Sequence, residues 1–156
     1  MGELVMKRTI ARTPTEVFDV IGTHVNENHP RWEPEVLEIR PLQAGPVKVG
    51  YRAVMVRKDW GKVHETTYEI TDFQPDRRIA FLTLDGPLDF QLAFEVAPAP
   101  TGTELTIRVN ARPKGAMRLM GPLFSVVNRR TSNRLADNMV GVVESRTGIA
   151  TAAATA

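Results

Sequence analysis

The spacing of hydrophobic residues along the first third of the chain predicts a strand followed by short helical segments. Residues 3–10 (ELVMKRTI) have the composition of a strand. Thr13 and Glu16 then form a helix-start signature, with Thr13 as the N-cap. We expect Gly22 to end this helix, and Pro30 to keep the next short segment from forming a regular helix.

Between residues 35 and 111 the pattern changes to a period of two, which predicts half-buried strands. The pair Trp60–Gly61 separates two such runs, so these runs form a predicted hairpin. Residues 88–96 (LDFQLAFEV) alternate most clearly, with the apolar side chains on one face. Turn-forming residues divide this region into about six strands.

After residues 112–115 (RPKG) the period returns to that of a helix. One face of this helix is predicted to carry Met117, Met120, Phe124, Val127, Leu135 and Val142. Pro122 either kinks the segment or starts its main helix. Residues 148–156 lack bulky side chains, so we expect a single domain over residues 1–147 and a disordered tail over 148–156.

Together these elements predict an α+β protein. We expect a helix-grip fold, with a curved antiparallel sheet of about seven strands wrapped around a long C-terminal helix and two short helices after the first strand. One helix cannot fill the concavity of a strongly bent sheet. The pattern therefore predicts a cavity between sheet and helix, where a small molecule could bind.

Composition narrows the chemistry of the 156-residue chain. It has no cysteine, which excludes disulfides, zinc–thiolate sites and cysteine nucleophiles. No stretch approaches the roughly 20 apolar residues of a membrane span, and no signal peptide is evident, so we expect a cytoplasmic protein. The net charge of +2 is uneven, because residues 106–156 carry eight basic and two acidic side chains. We expect no nucleic-acid partner, because Arg129, Arg130 and Arg134 lack neighbouring aromatic residues for base stacking.

Several motifs resemble the START/SRPBCC superfamily, and within it the bacterial polyketide cyclase/dehydrase-like proteins. The resemblance is carried by ARTPTEVFDVI, HPRWEPEV, VGYRAVMV, YEITDFQPDRRIAF and GTELTIRVNARPKGAMRLMGPL, and it spans roughly residues 3–146. It implies a helix-grip fold. It leaves function open, because the superfamily includes lipid and hormone binders, aromatase/cyclases, quinone-binding proteins, co-chaperones and the catalytic domains of Rieske-type oxygenases.

The strand around residues 62–73 contains the candidate catalytic residues. If Glu65 and Glu69 face solvent, then His64 and Tyr68 line the cavity, where they could polarise a carbonyl or transfer a proton. The alternative is that His64 is partly exposed at a strand end and the Tyr68 hydroxyl is bonded locally.

Apolar and polar side chains of the predicted cavity wall are candidates for contacting a ligand. They are Met55, Thr66, Phe81, Phe90, Leu92, Phe94, Met120, Phe124, Thr131 and Asn138. Asn138 falls on the apolar face of the long helix, where it either orients a ligand or bonds to a neighbouring backbone. Arg57 belongs either to the cavity rim or to the surface.

Residues 26–36 (NENHPRWEPEV) form a crowded polar stretch with two possible roles. His24 and His29, with Glu16 and Asp19, could bind non-haem iron, and oxygenase relatives place metal ligands in this region. Residues five apart are about 140° apart on a helix and do not share a face. We therefore expect no metal and no cofactor, and a structural joint in which Trp32 plugs the sheet edge while the charged residues lie in water.

The favoured function is binding of a hydrophobic small molecule of lipid, polyketide or aromatic type in the internal cavity, by a monomer or homodimer. The alternative is a metal-free polyketide cyclase/dehydratase that uses His64 and Tyr68 as proton-transfer groups. A third possibility, an interaction module, would need an exposed apolar patch.

Overall fold

The computed structural model describes residues 3–86 and 88–155, with side chains described through Ser145. Its seven strands are β1 (Leu4–Ile10), β2 (Val36–Pro41), β3 (Arg52–Asp59), β4 (Lys62–Gln74), β5 (Arg78–Thr83), β6 (Leu88–Ala99) and β7 (Gly102–Pro113). Its α-helices are α1 (Pro14–Phe18), α2 (Val25–Trp32) and α3 (Gly121–Thr155). A π-helical turn (Asp19–Thr23) joins α1 to α2, and a 3₁₀ helix (Gly115–Met120) precedes α3.

The strands form one antiparallel sheet in the order β1-β7-β6-β5-β4-β3-β2. Phe81 pairs with Leu92 and Phe94 pairs with Ile107, so the apolar side chains of neighbouring strands meet on one face. This concave face and the helices enclose the core. The predicted fold, an α+β helix grip with a seven-stranded sheet and a long C-terminal helix, is confirmed.

The N-terminus of α1 forms as predicted. The Glu16 backbone N–H donates to Thr13 Oγ1 at 3.2 Å, and the Thr13 N–H donates to Glu16 Oε2 at 2.8 Å. Gly22 does not end the helical segment, because the chain continues through the π-helical turn. A Cβ at Gly22 would lie 2.6 Å from the Phe18 ring. Glycine occurs at this position because the closely packed ring leaves no room for a side chain.

The expectation for Pro30 is wrong, because Pro30 lies inside α2. Proline removes one backbone donor from a helix, and in a helix of only two turns the tertiary contacts outweigh that loss. Trp32 and Val25, on either side of Pro30, are fully buried. The Asn28 side chain also donates to the carbonyls of Val20 and His24 at 3.1 and 3.0 Å, which satisfies two acceptors of the helical segment.

Helix α3 has two parts that differ in packing. In the packed half, residues 132–145, the buried side chains recur at helical spacing as Ser132, Leu135, Ala136, Met139 and Val143. In the open half, residues 121–131, Leu123, Val126 and Val127 are exposed. The predicted inward face is therefore wrong for Val127, and also for the exposed Met120 in the 3₁₀ helix. Pro122 lies in the first turn of α3, so it starts the main helix.

The predicted tail at residues 148–156 lies outside the part of the chain whose side chains are described, so disorder there stays a prediction. The helices in the described ranges include none with the length and hydropathy needed to cross a membrane.

Candidate ligand-binding groove

A chain of aromatic rings forms the floor of the concave face. Tyr68 contacts Phe81 with ring centroids 5.7 Å apart, and Phe81 contacts Phe94 at 5.6 Å. Phe94 then contacts Trp32 of α2 at 6.3 Å. All three contacts are edge-to-face, the arrangement that aromatic pairs favour, so the floor is a packed apolar surface.

This floor is covered unevenly. Helix α3 packs mainly against β1, β7 and the short helical segments, which leaves part of the concave face on β3–β6 uncovered. Met55 on β3, Phe90 on β6 and Phe124 on α3 pack against the core and remain half-buried. We call this solvent-reached part of the concave face, between β3–β6 and the open half of α3, the groove. It is an open surface where an internal cavity was predicted.

Two depressions of about 320 and 300 Å³ lie on the opposite, convex face of the sheet. Their walls include Arg78, Glu95 and Arg108, which join neighbouring strands through ion pairs. The groove differs from these depressions because its exposed lining is apolar.

The predicted wall residues divide by position. Phe81, Leu92 and Phe94 are buried in the floor, whereas Met55, Thr66, Phe90, Phe124 and Thr131 are half-buried and Met120 is exposed. The Thr66 side chain lies against the β5–β6 turn, where a Cβ at Gly86 would be 3.2 Å from Thr66 Oγ1. Asn138 Nδ2 donates to the Trp32 carbonyl at 3.0 Å. Of the two roles predicted for Asn138, this is the bond to a neighbouring backbone.

The Tyr68 hydroxyl belongs to a small polar cluster with Asn26 and Tyr51. It donates to Asn26 Oδ1 at 2.5 Å, and Asn26 Nδ2 donates to Tyr51 Oη at 3.0 Å. Burial, together with the neighbouring Tyr51 and Glu27, raises the pKa of Tyr68. Burial and the charge of Glu27 also raise the pKa of Tyr51. Both phenols therefore stay protonated at neutral pH.

His64 lies apart from this cluster, at the start of β4 beside the hairpin turn. Its side chain is 38% exposed, and Nε2 is 3.2 Å from Asp59 Oδ2. Four residues along a strand separate His64 from Tyr68 by about 13 Å, too far for a direct hydrogen bond. Glu65 is exposed and Glu69 is half-buried, and they pair with Arg40 and Arg52.

A network of charges connects α2 to the β3–β4 hairpin. His29 Nε2 is 2.7 Å from Glu33 Oε2, and Arg57 Nη1 donates to Glu33 Oε1 at 2.6 Å. Arg57 also donates twice to Asp59, at 2.9 and 3.0 Å. Burial alone would raise the pKa of Glu33, but the hydrogen bond from His29 and the charges of His29 and Arg57 lower it from 4.5 to about 2.

Residues 26–36 are therefore a joint. One expectation about them is wrong, and another holds only for Glu27 and Arg31, which are exposed. Trp32 is 0% exposed and packs on Phe94 of β6, inside the core rather than at the sheet edge. His29 and Glu33 are shielded from water instead of lying in it. The physical reason is mutual neutralisation, because each charge of the network faces an opposite one.

Metal binding finds no support in the geometry. His24 is exposed and 3.2 Å from Asp19 Oδ1, while His29 is buried against Glu33. Within the described residues, no group of three or more histidine and carboxylate side chains is arranged to hold a metal ion.

Asn26, Tyr51 and Glu33 are contributors that the sequence pattern did not single out. Asn26 joins two tyrosines that are distant in sequence, and Glu33 joins α2 to β3. A polar residue in a short helix carries no periodic signal for such contacts. The spacing of His29 and Glu33, four residues apart in a helical segment, was the one available indication of an ion pair.

Comparison with known proteins supports this architecture. The structure of TTHA0849 from Thermus thermophilus superposes with a TM-score of 0.73 at 16% identity, covering 96% of this chain and 99% of that one. Ara h 8.0201 gives 0.71 at 15% identity, covering 92% and 98%. The di-domain ARO/CYC StfQ from the steffimycin biosynthetic pathway gives 0.73 at 16% identity, covering 94% of this chain and 51% of that one. At these identities the likeness shows a shared fold.

No curated protein matches the chain significantly. The profile of one family, described as polyketide cyclase / dehydrase and lipid transport, matches residues 1–144. Because this match covers 144 of the 156 residues, the protein belongs to the polyketide cyclase / dehydrase and lipid transport family.

Proposed function

We propose that the protein binds a hydrophobic small molecule of lipid, polyketide or aromatic type in the groove. The observation that carries this proposal is the partial exposure of Met55, Phe90 and Phe124 on a concave surface whose floor is aromatic. Concave apolar surfaces with few polar groups are typical of small-molecule sites. A ligand lying on this floor would remove those side chains from water.

The polar cluster supports a ligand that carries an oxygen. Tyr68 donates its proton to Asn26, so the phenol oxygen keeps a lone pair that can accept a hydrogen bond. Tyr68 also contacts Phe81 of the aromatic floor, which joins this polar group to the apolar surface. We therefore expect a mostly apolar ligand with a hydroxyl group at one end.

Native mass spectrometry of the protein purified from cells tests the binding. We expect a bound compound whose mass is identified after organic extraction. Titration with the fluorescent probe anilinonaphthalene sulfonate provides a second measurement, and Phe90→Ala should weaken this binding roughly tenfold because part of the buried contact is lost.

Phe73→Ala is the matched control. Phe73 is also a half-buried phenylalanine on the sheet, but it packs against Phe18 at the far end of β4, with ring centroids 5.4 Å apart. Probe affinity should be unchanged in the folded control variant. Equal losses in Phe90→Ala and Phe73→Ala, or no bound compound and no probe binding, would overturn the proposal.

The family description and the fold shared with the ARO/CYC protein StfQ support a second candidate, a metal-free cyclase or dehydratase. In this candidate the Tyr68 hydroxyl turns from Asn26 and donates its proton to a substrate carbonyl, which it polarises, and His64 transfers a proton at the other end of the groove. Tyr68→Phe and His64→Ala should then abolish turnover of a poly-β-ketone mimic while probe affinity stays near normal. Unchanged turnover in both variants would exclude these two residues as catalytic groups.

The cytoplasmic location and the monomeric or homodimeric state stay predictions.

A further inference from the structure

Large apolar side chains lie exposed at one edge of the sheet. In an antiparallel sheet with this strand order, the β3–β4 turn, the β5–β6 turn and the end of β7 all lie at the same end of the strands, and we use "edge" for this end. The 3₁₀ helix and the first turn of α3 follow directly from β7. We call the exposed apolar side chains of this edge the apolar rim: Trp60, Val63, Leu84, Leu119, Met120 and Leu123.

The exposure within the rim is unusually high for large apolar groups. Leu119 is 89% exposed and Trp60 is 84% exposed. Trp60 occupies the tip of the hairpin with a positive φ of 49°, so the backbone turn presents its ring to the solvent. Large apolar side chains gathered in this exposed state at one end of a sheet are typical of an interaction site.

The open half of α3 extends this surface along the helix. Leu123, Val126 and Val127 are exposed and share one face with Arg130, because residues three, four and seven positions apart align on a helix. The open half therefore presents a mixed apolar and basic face to the solvent, the pattern of helices that lie at membrane interfaces.

The chain segment that contains the 3₁₀ helix and the open half of α3 carries only positive charges. Residues 105–136 contain seven basic side chains and no acidic one: Arg108, Arg112, Lys114, Arg118, Arg129, Arg130 and Arg134. Lys114 pairs with Asp89 and Arg134 pairs with Glu35. In the described part of the chain, Arg112, Arg118, Arg129 and Arg130 take part in no ion pair. Asp59 and Asp85, which lie at the same edge, are occupied by Arg57 and by the Thr67 backbone N–H.

We propose that the apolar rim and the open half of α3 dock on the surface of an anionic lipid bilayer. Apolar side chains would enter the interface while the unpaired arginines contact lipid headgroups. A second copy of the chain is a poorer partner, because it would bring two positive faces together. Nucleic acid is also a poorer partner, because five of the six rim side chains are aliphatic and only Trp60 offers a ring on which a base could stack.

Docking in this orientation would bring the side of the groove that borders the open half of α3 close to the bilayer. A hydrophobic ligand could then pass between membrane and groove without crossing water. This consequence rests on the proposed function, whereas the docking itself does not.

Sedimentation of the full chain with large vesicles tests the docking. We expect binding to vesicles of phosphatidylcholine with phosphatidylglycerol, weaker binding at high salt, and little binding to phosphatidylcholine alone. The two tryptophans make fluorescence a second readout, because Trp32 is fully buried and Trp60 is exposed. A blue shift on adding anionic vesicles, absent in Trp60→Phe, would place Trp60 in the interface.

Two pairs of substitutions test the two components of the surface. Arg129→Gln with Arg130→Gln should lower partitioning roughly 25-fold, because each charge contributes about fivefold. Leu119→Ser with Leu123→Ser should lower it roughly tenfold, through lost apolar burial. Leu42→Ser and Arg77→Gln are the controls, because both residues are exposed near the opposite edge, and Leu42 matches Leu123 at 57% exposure.

Three results would overturn the docking. They are no binding to anionic vesicles at low salt, equal losses in rim variants and controls, or a dimer in ultracentrifugation that Leu123→Ser dissociates. The last result would mean that a second copy covers the rim. The outcome is separable from the groove proposal, because Phe90→Ala should weaken probe binding without changing vesicle binding.

Discussion

The two halves of α3 face the same sheet but have different surroundings. In the packed half, Arg8 of β1 donates to Asp137 and Asn133 at 2.8 and 3.1 Å, and Asn138 donates to the Trp32 carbonyl of α2. In the open half, no side chain of residues 121–131 is fully buried, and three large apolar ones are exposed. One end of the helix is anchored to the rest of the fold, and the other borders the groove.

This difference separates stability from binding. Apolar burial and satisfied polar contacts concentrate between β1, α2 and the packed half, so opening the fold must disrupt that region. The open half makes fewer such contacts, and regions of this kind are where proteins place ligand-binding surfaces. Substitutions in the two regions should therefore affect different measurements.

The largest effect should come from Trp32→Ala, at the contact between α2 and the sheet. Removing a fully buried indole leaves a cavity next to Phe94, and we expect a loss of about 4 kcal/mol in the free energy of unfolding. Urea denaturation followed by circular dichroism measures it. Trp32→Phe, which keeps an aromatic ring, should lose less of the unfolding free energy. It can be measured in place of the alanine variant if that variant does not fold.

Trp60→Ala is the control for this prediction, since Trp60 is the other tryptophan and lies exposed on the hairpin turn. Its unfolding free energy should change by less than about 0.5 kcal/mol. A loss in Trp60→Ala comparable to that in Trp32→Ala would contradict the assignment of stability to the packed region.

A leucine from each half of α3 gives a direct comparison. Leu135→Ala removes a side chain buried in the packed half and should lower the free energy of unfolding by about 3 kcal/mol. Leu123→Ala, in the open half, should lower it by less than about 0.5 kcal/mol. Thermal and urea unfolding measure both, and equal effects would remove the distinction between the halves.

The buried charge network predicts a smaller loss with a pH signature. Glu33→Gln leaves Arg57 and His29 without their shared carboxylate, and we expect a loss of about 2 kcal/mol at neutral pH. Glu38→Gln, which alters an exposed pair with Arg40, should change stability by less than about 0.5 kcal/mol.

The pH dependence follows from the lowered pKa of Glu33. Its contribution is complete above the ordinary value of 4.5 and is lost as the pH falls towards about 2, because the folded protein then loses the charge that pairs with Arg57. Stability of the parent protein should fall over this window. The decline should be shallower in Glu33→Gln, and parallel curves for the two proteins would count against the network.

The smallest effect should come from Tyr68→Phe, which removes the hydroxyl bonded to Asn26. We expect a loss of about 1 kcal/mol, since one hydrogen bond is lost while the ring contact with Phe81 remains. Urea denaturation measures this change. A loss above about 3 kcal/mol would show that the polar cluster stabilises the fold as strongly as the packed half does. Stability would then not be concentrated around the packed half.

Much of the architecture was predictable because it depends on local pattern. The alternation of residues 88–96 predicted β6, the Trp60–Gly61 turn predicted the hairpin, and Thr13 with Glu16 predicted the start of α1. The resemblance to the START/SRPBCC group led to the same fold, and the match of residues 1–144 to the polyketide cyclase / dehydrase and lipid transport family agrees with it.

The candidate site was less predictable, because it depends on contacts between distant segments. Tyr68 was placed on the concave face correctly, but its bond to Asn26 joins residues 42 positions apart. The catalytic roles of His64 and Tyr68 stay predictions.

The sequence by itself determined the order and type of the elements, because periodicity and capping act between residues close along the chain. Tertiary structure decided what covers each apolar face. It held Pro30 inside α2, buried His29 and Glu33 among opposite charges, and left the open half of α3 and the apolar rim exposed. A hydrophobic period indicates that one face of an element can be buried. Only the packing of distant segments determines whether protein, ligand or membrane covers that face.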